Sequence, residues 1–152
     1  MYDRNDINRF IEMHKNPFAG YDLALAEIKR GYKQSHWIWY IFPQLRGIAR
    51  NERQYYYGIS GRIEAKCYLE HEVLGKHLRE ITEALMEHTN RPITDIMDNI
   101  DAVKLQSCMT LFDRVSPHDI YDKVLTTFFK GQRCQATDKL YSLYEQLATK
   151  DV

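Results

Sequence analysis

The chain has 152 residues, no formal net charge, 44% hydrophobic and 28% charged residues. That length favours one domain that buries a core without a disulfide or a metal, and residues 1–152 read as a single helical domain. Zero net charge argues against nucleic-acid or membrane-surface binding by the molecule as a whole.

Cys67, Cys108 and Cys134 are far apart and form no CxxC pair, so free thiols and a reducing compartment are expected. No apolar run approaches the roughly 20 residues that span a bilayer. The chain begins Met-Tyr-Asp-Arg-Asn-Asp, without the apolar stretch of a signal peptide, and the expected location is the cytoplasm.

Apolar spacing is helical almost throughout. Ile7, Phe10, Ile11 and His14 mark one helix face, which Asn16-Pro17 ends because proline disfavours helical geometry in the residue before it. Tyr21, Ala24, Leu25 and Ile28 mark the next, with Gly31 as a left-handed cap. Residues 35–42 suit either a strand or a short buried helix. No second strand offers itself as a partner, which favours a helix capped by Ser35 and stopped by Pro43. A looser linker covers 44–51. Ile59, Ile63 and Cys67 then fall four apart on one face, and Leu74, Leu78, Ile81 and Leu85 mark a longer helix over 73–88. After the Arg91-Pro92 connector, 93–97 forms a single turn. Asp98 or Asn99 caps a helix that buries Leu105, Cys108, Met109 and Phe112. Ser116-Pro117-His118-Asp119 reads as a start signal, with serine as cap and proline in the first helical position. Tyr121, Val124, Leu125 and Phe128 face inward, and Gly131 closes that helix. Thr137 caps the last, with Leu140, Leu143, Tyr144 and Leu147 inward. The fold class is all-α: one irregular, compact domain of about seven to nine helices.

The neutral total hides an asymmetry. Between residues 29 and 66, eight basic residues (Lys29, Arg30, Lys33, Arg46, Arg50, Arg53, Arg62, Lys66) face only Glu52 and Glu64, a net +6. The same segment holds Tyr32, Trp37, Trp39, Tyr40, Phe42, Tyr55, Tyr56 and Tyr57. Cations attract phosphate or carboxylate, and flat rings stack on a base. The plainer alternative is a solvated cationic rim around core rings.

At the centre lies 33–44, Lys-Gln-Ser-His-Trp-Ile-Trp-Tyr-Ile-Phe-Pro-Gln, which holds both tryptophans and reads as one wall of a concave site. On a helix, His36, Trp39 and Tyr40 share a face. His36 titrates near neutrality and is the candidate for acid–base work; a half-buried histidine bonded to a backbone carbonyl is the alternative. Trp37 turns toward the core on that geometry and stays among the ring candidates as part of the same wall. Lys33 and Ser35 precede it, and the amide of Gln44 is suited to a base or ribose edge, or to tying the turn. Farther on, Lys104 and Ser107 lie one turn apart on the polar margin with Asp101 and Leu111, an ammonium and a hydroxyl suited to an oxyanion; a surface Asp101–Lys104 pair is the competing reading. Arg62 also stands as a candidate cleft cation. Histidine spacing suits no metal, and neither GxGxxG nor a P-loop occurs, so neither metal nor cofactor is expected. Cys108 on an apolar face reads as core.

Several of these stretches resemble a known family. Ser35-His36-Trp37-Ile38-Trp39-Tyr40-Ile41-Phe42-Pro43-Gln44 is similar to its most distinctive string. Glu64-Ala65-Lys66-Cys67-Tyr68-Leu69 with His71-Glu72-Val73-Leu74-Gly75 resembles a second block, where proline usually stands at Glu72. Asp101 with 104–112 resembles a third, where Cys108 is more often serine. The family is number eighteen-ten of the domains of unknown function, small and mainly helical bacterial proteins, many of which bear a calpastatin label. The resemblance implies an all-α fold and no established activity. A calpastatin-like inhibitor is a largely disordered chain, whereas periodic apolar faces and 12% aromatics mark a packed core.

Two functions remain open at this stage. One is a pocket for a small nucleotide-like or ADP-ribose-like anion, with His36 for acid–base chemistry and Lys33, Ser35, Trp37, Trp39, Tyr40, Gln44, Arg62, Lys104 and Ser107 as ligand contacts. The other is a non-catalytic protein- or RNA-binding face. A third outcome is that the tryptophan motif is purely structural.

Overall fold

The structure, a computed structural model, describes residues 5–150. Residues 1–4 of the charged start of the chain lie outside it. Among the described residues, nine α-helices follow in chain order: α1 (Asn8–His14), α2 (Tyr21–Arg30), α3 (Ile38–Ile41), α4 (Glu52–Tyr56), α5 (Arg62–Glu70), α6 (Leu74–Met86), α7 (Asn99–Val115), α8 (Ile120–Phe129) and α9 (Gln135–Lys150), with a 3₁₀ turn at Ile93–Asp95. No strand occurs among the described residues, only one isolated bridge between Leu45 and Ile59.

The longest helix, α7, is the axis of the core and packs against α3, α5, α8, α9 and the 3₁₀ turn. Asp98 caps it by accepting from Asp101 N at 2.8 Å, so the expected capping carboxylate is in place. Leu105 and the six consecutive residues 107–112 are all buried. The expectation of a polar margin at Ser107 and Leu111 is therefore overturned: both are fully buried, with Ser107 Oγ bonded to Thr137 Oγ1 at 2.7 Å. A helix enclosed by neighbours on several sides leaves little polar margin.

Other expectations shift by a few residues. Helix α8 starts at Ile120 under Asp119, whose carboxylate accepts from Ile120 N at 2.7 Å. Ser116 instead ends α7 and donates to Asp119 at 2.8 Å, so the apparent start signal holds a corner together. Helix α9 begins at Gln135, ahead of Thr137, whose hydroxyl is spent inside the core on Ser107. Helix α5 begins at Arg62 and turns Ala65 and Tyr68 inward, which leaves Ile63 75% exposed. Ile59 lies before that helix, so its spacing to Ile63 and Cys67 has no common face. Leu143 and Leu147 are 48% and 49% exposed, since only part of the apolar side of α9 meets the body.

A buried ion pair locks α1 to α5. The Arg9 guanidinium, with its side chain fully buried, meets the Glu64 carboxylate at 2.9 and 3.0 Å. It also donates to the carbonyls of Asp6, Tyr56 and Gly58. Every donor of the fork is thereby used, which is what makes burial of the charge tolerable. Glu64→Ala strands that cation, and we expect it to lower folding stability by about 3–5 kcal/mol in urea titration. Replacing both partners together, Arg9→Met with Glu64→Leu, is expected to recover only part of the loss, because the carbonyls of Asp6, Tyr56 and Gly58 lose their donor.

Candidate functional site

The tryptophan motif is held from beneath by one carboxylate. Glu27, buried on α2, accepts from Gln34 N (2.8 Å), Ser35 N (2.9 Å), Ser35 Oγ (2.6 Å) and Trp37 Nε1 (3.0 Å). Burial alone would raise this carboxyl; the hydrogen bonds from Ser35, Gln34 and Trp37 outweigh it and hold the group below its ordinary range. Lys33 closes the same corner. Its ammonium meets Asp101 at 2.8 Å, donates to the Ser35 carbonyl and lies 4.8 Å from the centre of the Trp37 ring. The turn that carries Ser35 and His36 is thus tied to α2 and α7, and α3 starts only at Ile38.

That late start rearranges the expected wall. Ser35 spends its hydroxyl on Glu27 and caps no helix. Trp37 is fully buried. Tyr40 is 1% exposed and donates to Ala19 O; burial pushes its phenol up to about 12. Gln44 is buried at the bridge, where its carbonyl accepts from Ile59 N. His36 precedes the helix and is exposed, as is Arg62; Lys104 is half-buried on α7, and Ser107 points away from it into the core. Because α3 starts only at Ile38 and Ser107 is buried, helical spacing pairs neither His36 with Trp39 nor the ammonium of Lys104 with an exposed Ser107 hydroxyl. Of the sequence candidates, Trp39 lines a hollow.

That hollow is an open groove of about 790 Å³, lined by Trp39, Asn51, Glu52, Arg53, Gln54, Tyr56 and Tyr57. Its size falls within the range of small-molecule sites, roughly 300–1,000 Å³. Residues 46–58 form its outer wall. They leave and rejoin the body at a narrow neck, where Arg46 N donates to Ile59 O (2.7 Å) and Ile59 N to Gln44 O (2.8 Å). Gly58 is required there, since a Cβ would lie 2.6 Å from Arg46 Cα. The segment is an Ω-shaped loop of the kind that often carries function. Arg53 places its guanidinium 5.7 Å from the centre of the Trp39 ring, within cation–π reach. The Trp39 indole N–H is buried without a hydrogen-bond partner, an arrangement that costs about 1–3 kcal/mol. Arg53, Tyr56 and Tyr57 stand in the cationic, aromatic segment seen in the sequence, but nothing local indicated that the loop folds back over Trp39.

Behind α3 lies a second polar arrangement, invisible in the sequence. His14 Nε2 contacts the Tyr40 carbonyl at 3.0 Å, and His14 Nδ1 contacts His77 Nδ1 at 2.9 Å. A carbonyl only accepts, so His14 carries its proton on Nε2 and its bare Nδ1 accepts from His77 Nδ1–H. The His77 ring stacks on Tyr21 at 3.6 Å, and Tyr21 donates to Glu80. No group of three or more metal-ligating side chains occurs among the described residues.

Residues 4–141 match the model of a family described as protein of unknown function, DUF1810. The chain belongs to that family. Among solved structures, this DUF1810 chain is similar to the crystal structure of the conserved hypothetical protein Rv1873 from Mycobacterium tuberculosis, at a TM-score of 0.85 and 34% identity over 92% of this chain and 99% of that one. No curated protein matches it. DUF1810 membership agrees with the resemblance carried by the tryptophan string, and the solved neighbour shares the helical fold. No helix among the described residues is long and apolar enough to cross a membrane.

The histidine pair yields a pH dependence. Burial holds His14 down, from 6.5 to about 4, with His77 and His71 opposing a further positive charge. Between those values the unfolded chain takes up a proton that the folded chain refuses, so stability is full above pH 6.5 and falls as pH drops toward 4. The loss attributable to His14 is about 3 kcal/mol. Urea midpoints measured across pH 4–7 should show this slope, and His14→Gln, whose amide can still donate to Tyr40 O, should flatten it.

Proposed function

We propose that the groove between Trp39 and the 46–58 loop binds a small ligand that has a flat ring and an anionic group, of the nucleotide-like or ADP-ribose-like class. The observation that carries this is Trp39: a half-buried indole whose ring edges an open groove and whose N–H has no partner within the protein. A ligand ring has the indole and the Tyr56 and Tyr57 rings to stack on. The loop supplies the groove's cation, Arg53, beside Glu52. Binding is favoured over catalysis because His36, the acid–base candidate, lies outside the groove lining.

The test is a titration with AMP, ADP and ADP-ribose, read by thermal shift and by tryptophan fluorescence. Binding should raise the melting temperature. Trp39→Leu should weaken it by about 5- to 150-fold, the range for loss of one base-stacking contact. His36→Ala should leave affinity within about twofold and stability within about 0.5 kcal/mol, as for an exposed side chain outside the site. No stabilisation by any of the three at millimolar concentration discards the proposal.

A non-catalytic interaction face rests on a different observation. An apolar groove of about 400 Å³ runs on the other side of the same loop, between Ile48 and the α9 residues Ala136, Leu140 and Leu143, with Arg50 and Lys139 at its rim. RNA binding there would weaken steeply with salt through counterion release, whereas a small ligand held largely by stacking should respond far less.

A further inference from the structure

We infer that the tip of the 46–58 loop is a lid over Trp39, hinged at the bridge neck and latched by Arg53. The inference rests on the reading of this groove as a binding site and describes how that site opens. Three observations converge on it.

The two ends of the loop are fastened firmly. At the neck, Arg46 N and Ile59 N complete the Leu45–Ile59 bridge. One limb is clamped by Tyr144, whose hydroxyl donates to Arg46 O at 2.6 Å. The other is clamped by Arg9, which donates to Tyr56 O at 2.8 Å and to Gly58 O at 2.9 Å. Tyr57 adds ring contacts to Phe10 and Tyr40.

The tip between these clamps is held differently. Helix α4 buries none of its residues. Its first turn is closed by its own bonds, Gln54 N to Asn51 Oδ1 and Tyr55 N to Asn51 O, so it keeps its shape when it moves. Segments with few buried contacts open locally at low cost. Gly47, at φ +102°, gives the tip a pivot just inside the neck.

The third observation is what the tip covers. The Trp39 N–H is shut away from solvent without a partner, and in the opening inferred here that donor gains water or a ligand acceptor. In the closed form the planar Arg53 guanidinium lies over the indole face, where a ligand ring would stack. A flat ligand therefore exchanges with Arg53, which is then free to meet the ligand's negative charge. Arg53 is both latch and stand-in.

The two tryptophans provide the experiment without any ligand. Trp37 donates its indole N–H to buried Glu27 beneath the motif, so its exchange reports opening of the core. Trp39 reports opening of the lid. In ¹⁵N-labelled full-length protein, hydrogen–deuterium exchange of both indole protons is followed together with the Ile59 amide at the neck. The expected result is that the Trp39 proton exchanges at least about tenfold faster than the Trp37 proton and the Ile59 amide, as local opening precedes global unfolding. Arg53→Ala, a change at an exposed residue, should speed Trp39 exchange a further two- to fivefold, the worth of an exposed cation–π contact, and leave Trp37 unchanged. Exchange of both indole protons at one common rate overturns the lid. An unchanged Trp39 rate in Arg53→Ala overturns the latch. Fast Trp39 exchange in a chain that binds none of the nucleotides keeps the lid and discards only the ligand class.

Discussion

Four hydrogen bonds converge on the Glu27 carboxylate, and the placement of the tryptophan motif depends on them. An ionised carboxylate inside a core is costly unless its lone pairs are filled. Here the donors come from three residues within four positions, so filling them dictates the path of the chain from Gln34 to Trp37. Trp37 is drawn inward by its own N–H. Once it is in place, α3 begins at Ile38 and the next indole, Trp39, is turned to the other side. One indole is therefore a structural donor with a partner, and the other, two positions on, is a donor without one.

The same logic of satisfied and unsatisfied groups divides the loop that faces Trp39. Arg9 uses its full set of donors on Glu64 and three carbonyls, two of them on the loop's returning limb. Tyr144 does the corresponding service for the outgoing limb. Firm limbs around a tip whose helix α4 buries none of its residues make a groove whose walls differ in stability. A rigid wall can position a ligand, and a loose one can admit it. The neighbouring histidine pair under Tyr40 is part of the rigid side, since it fixes the back of α3 through a carbonyl.

Membership of DUF1810 and the likeness to the Mycobacterium tuberculosis protein establish what this molecule looks like. They carry no activity, because neither has one in its description. The ligand-binding reading stands on Trp39, the loop and its Arg53, and on nothing inherited. The tryptophan string acquires a double meaning in this light: most of it packs the core, and one residue of it borders the groove.

Local periodicity determined the helices, because an amphipathic stripe is written in residues three and four apart. Tyr21, Ala24 and Ile28 were legible in this way, as were the Leu74–Leu85 face, the Asp98 cap and the left-handed Gly31. Helix starts at Ile38, Ile120 and Gln135 were not. Ser35, Ser116 and Thr137 look like caps in sequence, but each found a better partner in Glu27, Asp119 or Ser107, and those partners are a matter of tertiary approach. The gathering of cations and rings between 29 and 66 was plain from composition alone. Which of those rings would meet a groove was decided only when residues 46–58 closed at the Leu45–Ile59 bridge and brought Arg53 over Trp39, a contact fourteen positions apart that no helical or strand period encodes.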